Sequence, residues 1–196
     1  MPDQQPEKDQ PIESELSEDL KQRILLWARA ILEKKLNHEP PPQGPDLAGL
    51  RGGVFVTLKL DGNLRGCIGR FDFTALLSDS IRDMVLAAAF NDYRFHPLTK
   101  DELADLDITI SVLTKPRPLN SLDDLVIGRD GLYLTHPMGS GVLLPVVAVE
   151  HGFSPLEFAR CTAIKAGLMP EDWNDPKAKL MVFTAPAFST DPQEVV

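Results

Sequence analysis

The chain has only two cysteines, and their spacing is not typical of a metal or redox site. Its 196 residues contain two cysteines, Cys67 and Cys161, which form no CxxC pair and no zinc pattern. The histidines His96, His136 and His151 do not share an HxxxH spacing either. We therefore predict no metal site, and the sequence identifies no cofactor.

Excess positive charge and long apolar runs are also missing. The chain has 20 Lys and Arg against 29 Asp and Glu, a net charge of −9. Nonspecific nucleic-acid binding needs basic patches that displace counterions, so we expect no nucleic-acid partner. No run approaches the length of a membrane-spanning helix, and the polar start lacks the apolar core of a signal peptide. These absences predict a cytoplasmic protein with no membrane partner.

The apolar pattern that is present predicts an α+β fold. Helical spacing covers residues 17–36, 71–90 and 154–166, and alternating patterns predict strands at 54–60, 64–69, 107–113 and 180–188. Residues 125–149 read as short strands joined by turns, with Pro145 at an edge or bulge. Because the strands come in hairpins, we predict a mainly antiparallel sheet with flanking helices. Residues 1–13 and 191–196 are predicted tails around a single domain at 14–190.

Local signals predict where helices and loops begin. Ser17 is a predicted N-cap of the first helix, and Ser154–Glu157 is a predicted capping box at the start of the third. Thr99–Glu102 is predicted to cap a short helical turn in the same way. Residues 91–97 are predicted to be a loop, and this loop combines many types of functional side chain.

The hexapeptide Leu64-Arg65-Gly66-Cys67-Ile68-Gly69 holds the densest set of chemical groups in the chain. It follows an alternating strand and an Asp61-Gly62 turn signal, so it is predicted to be the return strand of a hairpin. Strand alternation then places Arg65 and Cys67 on one face, about 7 Å apart, where Arg65 could favour the thiolate. The two glycines would expose backbone beside them.

The hexapeptide resembles the hallmark of the AMMECR family, whose bacterial and archaeal members are called AmmeMemoRadiSam system protein A. The resemblance covers about residues 49–188. Its other matching segments keep the same order and spacing; they are residues 53–58, 88–98, 111–113, 131–132, 143–148 and 165–168. The resemblance implies two unequal lobes, a larger and a smaller one, with a cleft between them that the hexapeptide lines. It also implies a pathway shared with a Memo-like protein and a radical SAM protein.

Each candidate site residue has a functional and a structural interpretation. Cys67 is a candidate nucleophile, although free cysteine is often a small buried apolar residue. Arg65 and Arg94 are candidate ligands of an anion, and each could instead pair with a carboxylate. Gly66 and Gly69 are candidate ligand-binding positions through their backbone.

Three functions remain open at this point. The first is an enzyme that acts on a small anionic substrate through the hexapeptide. The second is a non-enzymatic binding or scaffold module for the partners that the resemblance implies. The third, a regulator linked to nucleic acid, fits the acidic charge poorly. An enzyme predicts a polar cleft at Cys67 with a perturbed ionisable group, whereas a scaffold predicts exposed apolar surface.

Overall fold

The computed structural model describes residues 16–191. The predicted tail at 1–13, and that at 191–196 apart from Asp191, lie outside this part of the chain. The described chain divides into two compact units, one formed by residues up to Val112 together with those from Ala187 on, and one by Leu113–Pro186. No helix among the described residues is long and apolar enough to cross a membrane.

The first unit packs two helices on one face of a four-stranded antiparallel sheet. Helix α1 (Glu18–Leu36) begins at the predicted cap Ser17, and helix α2 spans Leu77–Phe90. Strands β1 (Val54–Leu60), β2 (Asn63–Arg70), β3 (Leu106–Val112) and β8 (Ala187–Ser189) lie in the order β2-β1-β3-β8. The core is formed by the alternate residues of β1 and β3 together with the apolar faces of α1 and α2, so the alternating pattern of these two strands is confirmed.

The hairpin that carries the hexapeptide is confirmed. Asp61 and Gly62 both have positive φ, as a two-residue turn that matches the strand twist requires. The pairing register then shifts between Leu58, which faces Gly66, and Lys59, which faces Leu64. Arg65 is therefore the extra residue of a β-bulge, and the simple alternation expected for the hexapeptide is broken there.

The second unit contains a smaller antiparallel sheet. Strands β4 (Arg117–Pro118), β5 (Asp130–His136), β6 (Gly139–Leu143) and β7 (Lys179–Thr184) lie in the order β4-β7-β5-β6. Helices α3 (Pro145–Glu150) and α4 (Pro155–Lys165) belong to this unit, with single 3-10 turns at Leu122–Asp124 and Pro170–Asn174. Both sheets are antiparallel, and helices flank them, so the predicted α+β class is confirmed.

Three element predictions are wrong, and each has a local cause. Helix α2 begins at Leu77 rather than residue 71, because Asp72 accepts hydrogen bonds from Thr74 in a turn and caps no helix. Pro145 begins helix α3 instead of occupying a strand edge, since proline suits the first helical position. The predicted last strand is divided into β7 and β8, which belong to different sheets, and Pro186, which has no N–H, lies between them.

Candidate functional site

Strand β2 is an edge strand, and its outer edge is covered at Cys67. The Cys67 N–H donates to Asp92 Oδ2 over 2.9 Å, and the Cys67 carbonyl accepts from Arg94 Nη2 over 3.2 Å. In an antiparallel strand the N–H and the C=O of one residue point to the same side, so both backbone groups of Cys67 point away from β1. The loop after α2 therefore takes the place of a further strand. At Cys67 the edge is closed in this way, so this residue offers no backbone groups for pairing with another chain.

Asp92 is the centre of this cluster, which we call the Asp92 clamp (Cys67, Asp92 and Arg94). Its carboxylate is 98% buried, since only 2% of the side chain is exposed. Besides the Cys67 amide it accepts from the Arg94 backbone N–H at 3.2 Å and from Arg94 Nε and Nη2 at 2.9 and 2.7 Å. An ionised carboxylate has about four acceptor sites, so these four bonds occupy nearly all of them.

The clamp is a charged pair at neutral pH. Hydrogen bonds from the Arg94 side chain hold the pKa of Asp92 well below its usual range, and the Cys67 amide adds to the lowering, although burial opposes it. The same hydrogen bonds raise the pKa of Arg94. Arg94 also lies over the ring of Phe95, with 5.4 Å between guanidinium carbon and ring centroid.

Arg65, the bulged residue, pairs with Glu102. Arg65 Nε and Nη2 donate to the two carboxylate oxygens of Glu102 over 2.7 and 3.1 Å, in a bidentate geometry. These bonds, helped by two from Thr99, lower the pKa of Glu102 to about 2, although burial opposes the shift. The Arg65 side chain is 12% exposed, and its Nη1 has no hydrogen-bond partner in the described chain. The pair is electrically neutral as a unit.

Both glycines of the hexapeptide allow a close approach by another part of the protein. A Cβ on Gly66 would lie 2.2 Å from the carbonyl oxygen of Ala88, so helix α2 reaches β2 only because the side chain is absent. A Cβ on Gly69 would lie 2.2 Å from the ring of Phe55 on β1. Gly69 is two residues beyond Cys67 and therefore also directs its N–H and C=O out of the sheet edge.

The Cys67 side chain begins a row of small polar groups across the outer face of the first sheet. The register aligns Cys67 with Thr57, Thr109 and Ser189 on the successive strands. The Thr57 hydroxyl donates to Cys67 Sγ over 3.4 Å, and Thr109 Oγ1 donates to Ser189 Oγ over 2.9 Å. Cys67 is half-buried, so its thiol is neither a core residue nor fully open to solvent.

Comparison with known proteins assigns the family. The AMMECR1 family model matches residues 25–188. A protein of Methanothermobacter thermautotrophicus is 39% identical over 90% of this chain and 97% of its own length, and Protein NEQ441 of Nanoarchaeum equitans is 37% identical over 84% and 97%. The chain belongs to the AMMECR1 family. The crystal structure of the uncharacterized protein PH0010 from Pyrococcus horikoshii has a TM-score of 0.78 to it at 34% identity, over 89% and 93% of the two chains.

Family membership confirms the resemblance, and the geometry brings together part of the predicted site. Cys67 and Arg94 meet at the Asp92 clamp, where Arg94 Nη2 donates to the Cys67 carbonyl. In the described chain no hydrogen bond or ion pair joins Arg65 to Cys67. The guanidinium that bonds Cys67 is that of Arg94, in the loop after α2, and it bonds the backbone carbonyl. The roles of Cys67, Arg65, Gly66, Gly69 and Arg94 in catalysis or ligand binding stay predictions, as does a cleft between lobes.

Sequence reasoning missed two carboxylates that organise this AMMECR1 site. Asp92 stood in a loop already noted for its variety of functional groups, and Glu102 was interpreted only as a capping residue for Thr99. A signal for Asp92 was available, since the side chain of an aspartate in a loop can accept a hydrogen bond from the backbone N–H two residues further on, as Asp92 does from Arg94.

Two surface cavities, of about 340 and 390 Å³, lie at another part of the first unit. They share Trp27 and the segment 42–45, which packs on the Trp27 ring, and the Trp27 indole N–H donates to the Pro42 carbonyl over 3.1 Å. No residue of the hexapeptide lines either cavity. Within residues 16–191, no group of three His, Cys, Asp or Glu side chains could hold a metal ion.

Proposed function

We propose that this AMMECR1-family chain is a non-enzymatic binding module that acts with the Memo-like protein and the radical SAM protein implied by the family resemblance. One observation carries the proposal: the charged groups at the hexapeptide are bonded to one another. Asp92 binds Arg94 and the Cys67 backbone, and Glu102 binds Arg65. These bonds fix the shape of the surface at the hexapeptide. They also leave these charged side chains with little capacity to bind or activate a substrate.

The electrostatics favour binding of a partner over catalysis on a small anion. A site for an anion needs positive charge that is not already neutralised, whereas both arginines are paired with carboxylates. A general base needs a pKa near the working pH and an accessible lone pair. Asp92 has neither, because its pKa is depressed and its four hydrogen bonds occupy the carboxylate.

Direct binding measurements test the module. The purified chain is titrated by calorimetry with the purified Memo-like protein and with the purified radical SAM protein of the same organism. We expect saturable binding to one of them, with a negative heat-capacity change from apolar burial. Asp92→Ala should weaken it, because the clamp that holds the surface is lost, whereas Asp101→Ala should not. No binding to either protein, alone or mixed, contradicts the proposal.

The second candidate is an enzyme that acts on a small anionic substrate with Cys67 as nucleophile. It is favoured by the half-buried thiol, which accepts a hydrogen bond from Thr57 and belongs to a residue whose carbonyl is bonded by the partly exposed Arg94. Alkylation of the folded chain from pH 5 to 9 tests this candidate, with Cys161 in α4 as the internal comparison. Faster reaction at Cys67, slowed in Thr57→Val, supports the enzyme; equal slow reaction of both thiols contradicts it.

A further inference from the structure

The turn before the hexapeptide contains one of the two Asp-Gly sequences of the chain. Asp61-Gly62 forms the tip of the β1–β2 hairpin, and Asp130-Gly131 begins strand β5. An Asp-Gly sequence can rearrange without an enzyme, because glycine has no side chain to hinder the attack of its backbone nitrogen on the preceding carboxyl group. The reaction requires that the nitrogen and the carboxyl group can meet, and the two sequences differ in this respect.

The hairpin tip leaves both reacting groups open. Asp61 and Gly62 are exposed to solvent, and a Cβ on Gly62 would meet no atom within 4 Å. Within residues 16–191 the Asp61 carboxylate makes no hydrogen bond or ion pair, although the Asp61 carbonyl accepts from Asn63 Nδ2 over 3.2 Å. Loop tips open locally at little cost in free energy, whereas core strands open only near global unfolding. The two groups at the tip can therefore reach each other in the folded chain.

The second Asp-Gly sequence is held apart by its surroundings. Strand β5 lies between β7 and β6, and the Asp130 side chain is 1% exposed. Its carboxylate accepts from the Val126 N–H over 2.9 Å and from Arg129 Nε and Nη2 over 2.8 and 2.7 Å. Gly131 pairs with Phe183 on β7, and a Cβ on Gly131 would lie 2.5 Å from the Phe183 ring. Reaction at this position requires the second sheet to open.

We propose that Asp61-Gly62 is a modification site at which the folded chain converts aspartate to isoaspartate, and that this change loosens the start of the hexapeptide strand. The Gly62 nitrogen forms a bond to the side-chain carboxyl carbon of Asp61, and the amide hydrogen and the carboxyl OH leave as one water molecule. The product is a five-membered succinimide ring. A water molecule then opens the ring at the former backbone carbonyl, so the main chain runs through the side chain of residue 61. Mass and charge are unchanged, and no oxidant or cofactor is needed.

The modification changes the geometry of the turn. Isoaspartate lengthens the main chain by one atom at the tip. The two-residue turn requires positive φ at both positions, and the φ angles of Asp61 and Gly62 are 49° and 73°. The longer chain should lose this turn and, with it, the pairing of Leu60 with Asn63. The bulge at Arg65 lies two residues further along, so the shift reaches the hexapeptide.

Peptide mapping of the aged full chain tests the site. The folded chain is incubated for weeks at neutral pH, and isoaspartate at each position is measured by mass spectrometry with fragmentation that distinguishes it from aspartate. We expect isoaspartate at residue 61, and formation at least about 100-fold slower at residue 130, because opening of a core strand is required there. In denaturing urea the two rates should be similar. No isoaspartate at 61 in the folded chain, or equal rates at 61 and 130 in the folded chain, overturns the proposal.

A second measurement tests the loosening of the hairpin. The isoaspartyl form is separated by chromatography, and it should unfold at a urea concentration about 0.5 M or more below that of the unmodified chain. The matched control is Asp61→Glu, which keeps the carboxylate but would have to close a six-membered ring, a much slower reaction. Aged Asp61→Glu should therefore keep the midpoint of its own fresh sample. An isoaspartyl form with the midpoint of the unmodified chain would overturn the effect on the hexapeptide strand.

Discussion

Removal of the Asp92 carboxylate should strongly destabilise the fold at the hexapeptide surface. Asp92→Ala leaves the Cys67 N–H without its partner, which costs about 1–3 kcal/mol for a buried donor. It also removes three bonds to Arg94, two of them from the guanidinium. The free energy lost with the bonds to Arg94 is partly offset, because the Arg94 side chain is 43% exposed and water can hydrate it. The sum is about 3 kcal/mol.

The assay is urea unfolding of Asp92→Ala, Asp92→Asn and the exposed control Asp101→Ala. With an m-value of about 2 kcal/mol per molar, Asp92→Ala should lower the midpoint by about 1.5 M. Asp92→Asn keeps an acceptor for the Cys67 amide and should lie between Asp92→Ala and the wild type. Asp101→Ala should change the midpoint little. A loss below about 1 kcal/mol in Asp92→Ala would refute the idea that the carboxylate fastens the loop to β2.

Three further predictions concern the backbone and the second ion pair. Gly66→Ala should cost about 3 kcal/mol in urea unfolding, because its methyl group would meet the Ala88 carbonyl at 2.2 Å; a neutral result would mean that α2 can move away freely. Ser154→Ala and Glu157→Ala should each cost about 1 kcal/mol by thermal unfolding, since they form a reciprocal capping box at the start of α4. Glu102 has a folded pKa of about 2 against an ordinary 4.5, so its contribution to stability is complete above about pH 5 and is lost as the pH falls toward 2. Glu102→Gln should flatten that part of a curve of stability against pH. A curve that is the same as that of the wild type would contradict the pairing with Arg65.

Features of the fold that depend on neighbours in sequence could be predicted. The Asp61-Gly62 turn, the Ser17 cap and the Ser154–Glu157 capping box involve residues within four positions of one another, and all three are confirmed. Their physics is local, because a turn needs particular φ angles and a helix start needs particular hydrogen bonds. The alternating face of the strands was predictable for the same reason.

The arrangement of the site could not be predicted, because it depends on contacts that tertiary structure alone creates. Asp92 meets Cys67 only because β2 is the edge strand and the loop after α2 passes beside it. Arg65 turns to Glu102, 37 positions away, from a bulge that the alternating pattern does not reveal. A strand pattern shows which residues share a face, but it does not show which edge is left open or what covers it.

The central claim is that the hexapeptide acts through its backbone and its fixed shape, and that the Cys67 thiol performs no chemistry. Cys67→Ala tests this claim most directly, because it removes the sulfur and keeps the N–H and C=O that the Asp92 clamp uses. The variant is expressed at the wild-type level in cells that lack this protein, and the metabolites of these cells are profiled. We predict that Cys67→Ala restores the wild-type profile and that Asp92→Ala does not. A folded Cys67→Ala chain that leaves the profile of the deletion unchanged would contradict the account.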